Sequence, residues 1–292
     1  MINNLWAIVF LLLCAATAKA VNVEKLDLTY GDDTAKKAYF SQPIRFWGSH
    51  GYKVGKDSYE TLLVLKNAKT EYAFRFQGKI DAGKPRHVKI CMLRPSVYNW
   101  YAGGFVEVRS GNQALTEGEF KFLEIKEDFE FGEAVFEYRS EMLSGIFRFA
   151  LSEDDDKLQL IFTPFMAKHL ESYQLILTAY PGIYGEKEKR QRRILTNASG
   201  EEITARQVTD MDHWAVFYDL WYDRGKNLGD GCCAFLYNPK AVVSGTLRAA
   251  SACTARLNYR AGQIAALVLW DFKGWSSQEA IQYMKQLSVQ FE

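Results

Sequence analysis

From residue 59 onward the chain alternates apolar and polar positions with a period of two, the pattern of strands that bury one face. YETLLVL at residues 59–65 and EYAFRF at 71–76 flank the turn-like KNAKT and predict two strands. HVKICML at 87–93 follows a Gly-Lys-Pro break, and FKFLEI, AVFEYR and IFRFAL at 120–125, 134–139 and 146–151 repeat the alternation. Acidic SEDDDK joins IFRFAL to LQLIF at 158–162, so that Phe147, Phe149 and Leu151 share one face, as do Leu158, Leu160 and Phe162. That pairing predicts a hairpin. A strand over 173–179 and a hairpin over 193–208 follow. At 264–272 both alternate sets are apolar: Ile264, Ala266, Val268, Trp270 and Phe272 oppose Ala265, Leu267 and Leu269, which predicts a central strand covered on both faces. The one helix expected lies at the end, where Ser276-Ser-Gln-Glu279 has the form of a capping box and Ala280, Ile281, Met284 and Leu287 recur at helical spacing.

These elements predict a mainly β chain, an antiparallel β-sandwich of the size of a large supersandwich with one C-terminal α-helix. In size and architecture alone it resembles galactose-mutarotase-like and glycosidase-associated domains, and a fold does not specify a function. No linker of Pro, Ser and Gly divides residues 21–292, so a single domain is expected there. Residues 1–20 form a separate class of segment. The apolar run from Leu5 to Ala16 and the small-x-small triplet Ala18-Lys19-Ala20 match a signal peptide cleaved after Ala20, and Leu13 before Cys14 does not suit a lipid anchor. The expected location is secreted or periplasmic. The run is too short for a membrane span, which needs about 20 apolar residues, and no later run is as apolar for as long.

Charge removes a partner class. The chain has 36 basic and 35 acidic residues, and Lys19 is the only charged residue in the first 20, so the remainder balances. Binding to nucleic acid needs a concentrated basic surface, which this balance argues against. Cysteine bears on the compartment. Cys91, Cys232, Cys233 and Cys253 remain after residue 20, and in an oxidising compartment one of the adjacent pair bonded to Cys253 is the leading expectation, with buried thiols the alternative. Adjacent cysteines cannot bond each other easily, because their Cα atoms lie about 3.8 Å apart where disulfides need roughly 4.4–6.8 Å. Nor can they both serve one tetrahedral zinc.

Three segments allow two readings each. Asp154 to Asp156 offer oxygen to a calcium ion, yet lack the glycine and distal glutamate of a calcium loop, so a solvated turn is preferred. The run EKEKRQRR at 186–193 is read as a solvent loop rather than a site for an acidic polysaccharide or membrane. Asn197-Ala-Ser199 fits a glycosylation acceptor and equally a strand-to-turn transition.

Candidate chemistry gathers in HWAVFYDLWYDRGKNLGDGCCAFLYNP, residues 213–239. As a strand, 213–223 would put Trp214, Val216, Tyr218, Leu220 and Tyr222 on a core face and His213, Phe217, Asp219, Trp221 and Asp223 on the other. Aromatic rings beside carboxylates suit a sugar, whose C–H face stacks on a ring while its hydroxyls donate to acids. The proposed partner is therefore a poly- or oligosaccharide, held by Trp221, Phe217 or Tyr218 and Asp223, with Trp47 and His50 of RFWGSHGY and Trp100 of NWY as further candidates. The alternative to recognition is a carbohydrate-active enzyme, a lyase, epimerase or hydrolase, with His213 and Asp219 as acid and base and Arg224 neutralising substrate charge. The two acids Asp219 and Asp223 sit about 13 Å apart along a strand, against carboxyl separations of about 5–5.5 Å or 6.5–9.5 Å in glycosidases. A third reading is an envelope or structural interaction protein. No nucleophile elbow, zinc motif or phosphate loop is present, and no cofactor or metal is expected.

Overall fold

The computed structural model describes residues 22–28, 58–81, 84–101, 103–110, 113–114, 119–127, 130–182, 190–222 and 229–287. Eighteen strands are found among them: β1 (Asn22–Leu28), β2 (Ser58–Lys66), β3 (Glu71–Asp81), β4 (Lys84–Arg94), β5 (Val106–Ser110), β6 (Gln113–Ala114), β7 (Glu119–Glu127), β8 (Phe131–Arg139) and β9 (Leu143–Ser152) in the first half, followed by β10 (Leu158–Ala167), β11 (Ser172–Ala179), β12 (Arg192–Thr196), β13 (Ala205–Gln207), β14 (Trp214–Asp219), β15 (Gly231–Tyr237), β16 (Val242–Ala249), β17 (Cys253–Arg260) and β18 (Ala265–Lys273). One helix, α1 (Ser277–Gln286), ends the described chain. None of the described helices is long and apolar enough to cross a membrane. Residues 1–20, with the expected signal peptide, lie outside the described residues.

The strands form two antiparallel sheets. One runs β1-β2-β3-β4-β5-β11-β17-β16-β13, with β6 on β5, and the other runs β12-β14-β15-β18-β10-β9-β8-β7. The period-two pattern explains the register. In the β9–β10 hairpin Phe147 pairs with Phe162 and Phe149 with Leu160, and all four have no exposed surface. They meet Phe74, Phe76 and Tyr173 of the facing sheet in one continuous apolar core, in which Phe76 and Phe136 stack at 4.1 Å between ring centroids. Burial of rings at this density is the main stabilising term of such a sandwich. The acidic turn after β9 is an inter-sheet joint. Asn67 Nδ2 donates to the carbonyls of Ser152 and Asp155, Lys69 Nζ to that of Asp154, and Tyr72 Oη to that of Asp156.

Two expectations change. Residues 193–208 do not close as a hairpin: β12 and β13 belong to different sheets, and the link within the segment is the isolated bridge from Ile194 of β12 to Ile203, which precedes β13. The run at 186–193 is not wholly a solvent loop, for Arg192 is buried in β12, while 186–189 lie outside the described residues. A second, smaller core lies outside the eight-stranded sheet. There α1 lays Ala280 and Met284 over Trp214, Val216, Cys232, Ala234, Trp270 and Phe272. The capping box that starts α1 is made in both directions, Ser276 Oγ accepting from Glu279 N and Glu279 Oε2 accepting from Ser276 N.

Candidate functional site

Strand β14 is an interior strand, paired with β12 through Arg192↔Asp219 and Ile194↔Phe217 and with β15 through Phe217↔Cys233. Its aromatic and β-branched residues favour that state. Every residue of β14 is buried. Ala215 and Phe217 enter the main core, and Trp214, Val216 and Tyr218 enter the core beneath α1. Two expected sugar platforms are thereby corrected. Phe217 and Trp100 are both 0% exposed, packed edge-on at 6.4 Å, and a ring without an exposed face stacks on no saccharide. Trp100 ties the layers together instead, its Nε1 donating to the Trp270 carbonyl at 2.9 Å. The phenol of Tyr218 reaches the rim, where it donates to Glu202 Oε2 at 3.4 Å.

At the C-terminal end of β14 the chain turns sharply around Asp219. Its carboxyl is 2% exposed, and Oδ1 accepts from the backbone N–H groups of Gln191 at 3.1 Å and Trp221 at 3.0 Å. Oδ2 is buried and makes no hydrogen bond among the described residues. Gly182, at φ +74, closes over it so tightly that a β-carbon there would lie 2.2 Å from the Asp219 Cβ. Beside it the Arg192 guanidinium is 3% exposed, lies 5.1 Å from the centroid of the Tyr180 ring and donates to the carbonyls of Pro181 and Ser251. Burial pulls its pKa below the usual arginine value. This clamp fixes the backbone of Trp221 while the residue stays 44% exposed. Among the described residues of 213–239, Trp221 is thus the candidate platform that remains exposed. Asp223, Arg224, Trp47 and His50 lie outside the described residues.

The acid–base pair does not converge. His213 precedes β14 and Asp219 ends it, a separation of about 20 Å at 3.3 Å per residue. A general acid and base for one substrate atom need hydrogen-bond reach of it. The His213 end has its own clamp, in which Asn197 Oδ1 accepts from the N–H groups of His213 at 2.8 Å and Trp214 at 3.2 Å while Nδ2 donates to the Met211 carbonyl. The acceptor amide of the glycosylation triplet is therefore engaged at both ends.

Two buried carboxylates escaped the sequence reading. Asp212 accepts from Thr196 Oγ1, Arg206 Nε, Thr209 N and Thr209 Oγ1 at 2.7–3.0 Å. Burial alone would raise its pKa, yet these donors hold it below the ordinary carboxylate value. Asp271 keeps some surface, but its carboxyl is enclosed by the turn after β4. Oδ2 accepts from Ser96 Oγ at 2.7 Å and Ser96 N at 3.2 Å, and Oδ1 from Asn99 Nδ2 at 2.7 Å. Here burial wins: with Asp230 adding repulsion, the Asp271 carboxyl is pushed up to about 7 despite the donors. The donors to Asp271 come from a turn more than 170 residues earlier, whereas Asp212 is held mostly by its near neighbours Thr209 and Arg206, together with Thr196.

None of the four described cysteines forms a disulfide. Cys232 faces α1, its thiol directed to the carbonyls of Trp275 and Ser276, whereas Cys253 lies on the inner face of the other sheet, and the expected bridge from one of the adjacent pair to Cys253 is made by neither Cys232 nor Cys233. Cys233 faces the main core and donates to the Asn99 carbonyl at 3.1 Å. Burial pushes the pKa of all three thiols up, which keeps them protonated. No cluster of three metal-ligating side chains occurs among the described residues.

No family model matches the sequence, and no curated protein matches it. Among solved structures, the chain is similar over 72% of its length to the galactosidase domain of alpha-galactosidase-sucrose kinase, AgaSK, at 9% identity, a TM-score of 0.39 and 40% coverage of that chain. Alpha-galactosidase AgaA from Geobacillus stearothermophilus in complex with stachyose gives 11% identity, a TM-score of 0.38, and coverage of 72% of this chain and 40% of that one. Paenibacillus xanthan lyase gives 9% identity, a TM-score of 0.45, and coverage of 77% and 25%. This chain spans less than half the length of each. Likeness at this level assigns it to no family and transfers no activity.

Proposed function

We propose that this protein is a secreted or periplasmic carbohydrate-recognition β-sandwich that engages a glycan through Trp221. The observation that carries the reading is the pairing of an exposed indole with a rigid backbone: Trp221 N donates to the buried Asp219 carboxylate while 44% of the residue faces solvent. A large ring held ready on a fixed turn loses little conformational freedom on binding, which is the economy of an aromatic sugar platform. Recognition is preferred to catalysis because a platform needs no converging acid and base, and His213 and Asp219 stand at opposite ends of β14.

The test is the Trp221→Ala variant, titrated calorimetrically with a panel of neutral oligosaccharides alongside the unaltered protein. The expected result is a loss of about 1–3 kcal/mol of affinity, by analogy with other ring-stacking contacts. Unchanged affinity per folded molecule, or no oligosaccharide bound by the unaltered protein, would overturn the reading.

A further inference from the structure

The ten-stranded sheet ends in β17, β16 and β13, and their register sets two rows of side chains across its outer face. Gln207, Thr246 and Arg256 align in one row, and Ala205, Arg248 and Thr254 in the next. The intervening residues Leu247, Ala255 and Leu257 are buried in the core, so these rows point the other way. Together with Arg206 and Leu247 they line a groove of about 500 Å³, and none of its described lining residues is acidic.

Arg248 and Arg256 are diagonal neighbours on adjacent strands, about 7–8 Å apart. Among the described residues neither side chain makes an ion pair or a hydrogen bond. Arg260 of β17 shares this state, whereas Arg109, Arg139, Arg148 and Arg193 pair with Glu107, Glu137, Glu133 and Glu202. The third arginine is fixed: Arg206 Nε is held by both oxygens of the fully buried Asp212. Between the cations lie the neutral groups of Thr246, Thr254 and Gln207, and the same face continues in a polar ladder in which Gln174 donates to Asn258 at 2.9 Å and Asn258 donates to Ser244 at 2.8 Å.

We propose that this groove binds an acidic saccharide, with Arg248 and Arg256 taking a carboxylate of a uronic-acid unit and Thr246, Thr254 and Gln207 meeting its hydroxyls. Planar guanidinium forks match a carboxylate in two-point fashion, and neutral donors and acceptors beside them match a hydroxyl-rich ring. A nucleic acid or an anionic membrane would instead require a broad basic field, and the chain as a whole carries a formal charge of only +1. The proposal adds an acidic-sugar site to the saccharide reading above but does not depend on Trp221, which follows a strand of the other sheet.

Calorimetric titration of the full chain with hexagalacturonate tests it. Arg248→Gln and Arg256→Gln are each expected to weaken binding roughly tenfold or more, from the loss of charge-assisted hydrogen bonds. The double variant should bind nothing measurable, the unfolding midpoint should stay put, and added salt should weaken the unaltered protein. Trp221→Ala should leave this affinity intact, so failure of the platform reading and failure of the groove are read separately. No binding of hexagalacturonate by the unaltered protein, undiminished binding by the double variant, or equal affinity for neutral cellohexaose or a hexaglutamate peptide would overturn the proposal.

Discussion

The outer face of β14, β15 and β18 carries Trp214, Val216, Cys232, Ala234, Trp270 and Phe272 and is roofed by α1, whereas that of β13, β16 and β17 carries Gln207, Thr246, Arg248, Thr254 and Arg256 and no described element packs over these side chains. Both are outer faces of one sandwich, and the same alternation builds each. The difference lies in what happens to the second side-chain set. Where it is apolar, removal from water contributes roughly 25 cal/mol for each Å² buried, and a helix with an apolar stripe docks on it. Where it is cationic and hydroxylated, hydration keeps it open and its hydrogen-bonding capacity stays unspent. Aromatic content alone therefore does not separate surface from interior: the richest aromatic stretch of the chain is mostly interior, with Trp221 its exposed ring-bearing residue, while the plainer polar face stays uncovered.

The largest effect is expected where the covered face is forced to behave like the bare one. Ala280 of α1 has no exposed surface and abuts that apolar layer. Ala280→Asp puts an unpaired carboxylate there, which should cost about 3–5 kcal/mol. Chemical denaturation measures it, and a loss below ~1 kcal/mol would mean that α1 does not roof the sheet.

A smaller effect belongs to β18, the strand that serves the roofed face with Trp270 and Phe272 and the sandwich interior with Asp271. The Asp271 carboxyl titrates near 7 in the fold and near the ordinary value of about 4 when unfolded. Because the folded value is the higher one, its stabilising contribution is complete below pH ~4 and is lost as the pH rises through about 7. Between those limits stability should fall by up to about 1.4 kcal/mol per pH unit from this group. Asp212 has the opposite sign: its folded value is depressed, so its contribution holds above the ordinary carboxylate range and is lost as acid protonates it. Denaturation of the protein and of Asp271→Asn from about pH 4 to pH 8 checks this. The decline should flatten in the variant, and an equally steep decline in both would assign it to another group.

Much of the fold was legible because it is local. The β9–β10 hairpin follows from the alternation around the acidic turn, β18 from its two apolar faces, and α1 from its capping box and spacing. The site was less legible. Phe217 reads as solvated when β14 is taken by itself, since alternation distinguishes two faces without saying which has a layer over it, and the Tyr218 side is covered by a helix some sixty residues later in the chain. Arg248 and Arg256 each look like the ordinary polar member of an amphipathic strand. Only the cross-strand register brings them together. Asp271 and its donors Ser96 and Asn99 are likewise joined across the chain, and no spacing in the sequence links them.

The central claim is that β14 is packing and that the accessible chemistry of its stretch begins at the turn beyond it. The unfolding free energies of Phe217→Ala and Trp221→Ala, measured in one denaturant series, test this most directly. Phe217→Ala is expected to cost about 3–5 kcal/mol, as for other fully buried rings, and Trp221→Ala less than ~1 kcal/mol, as for a surface side chain whose structural role is carried by its backbone. A Trp221→Ala loss equal to or greater than that of Phe217→Ala would contradict the account.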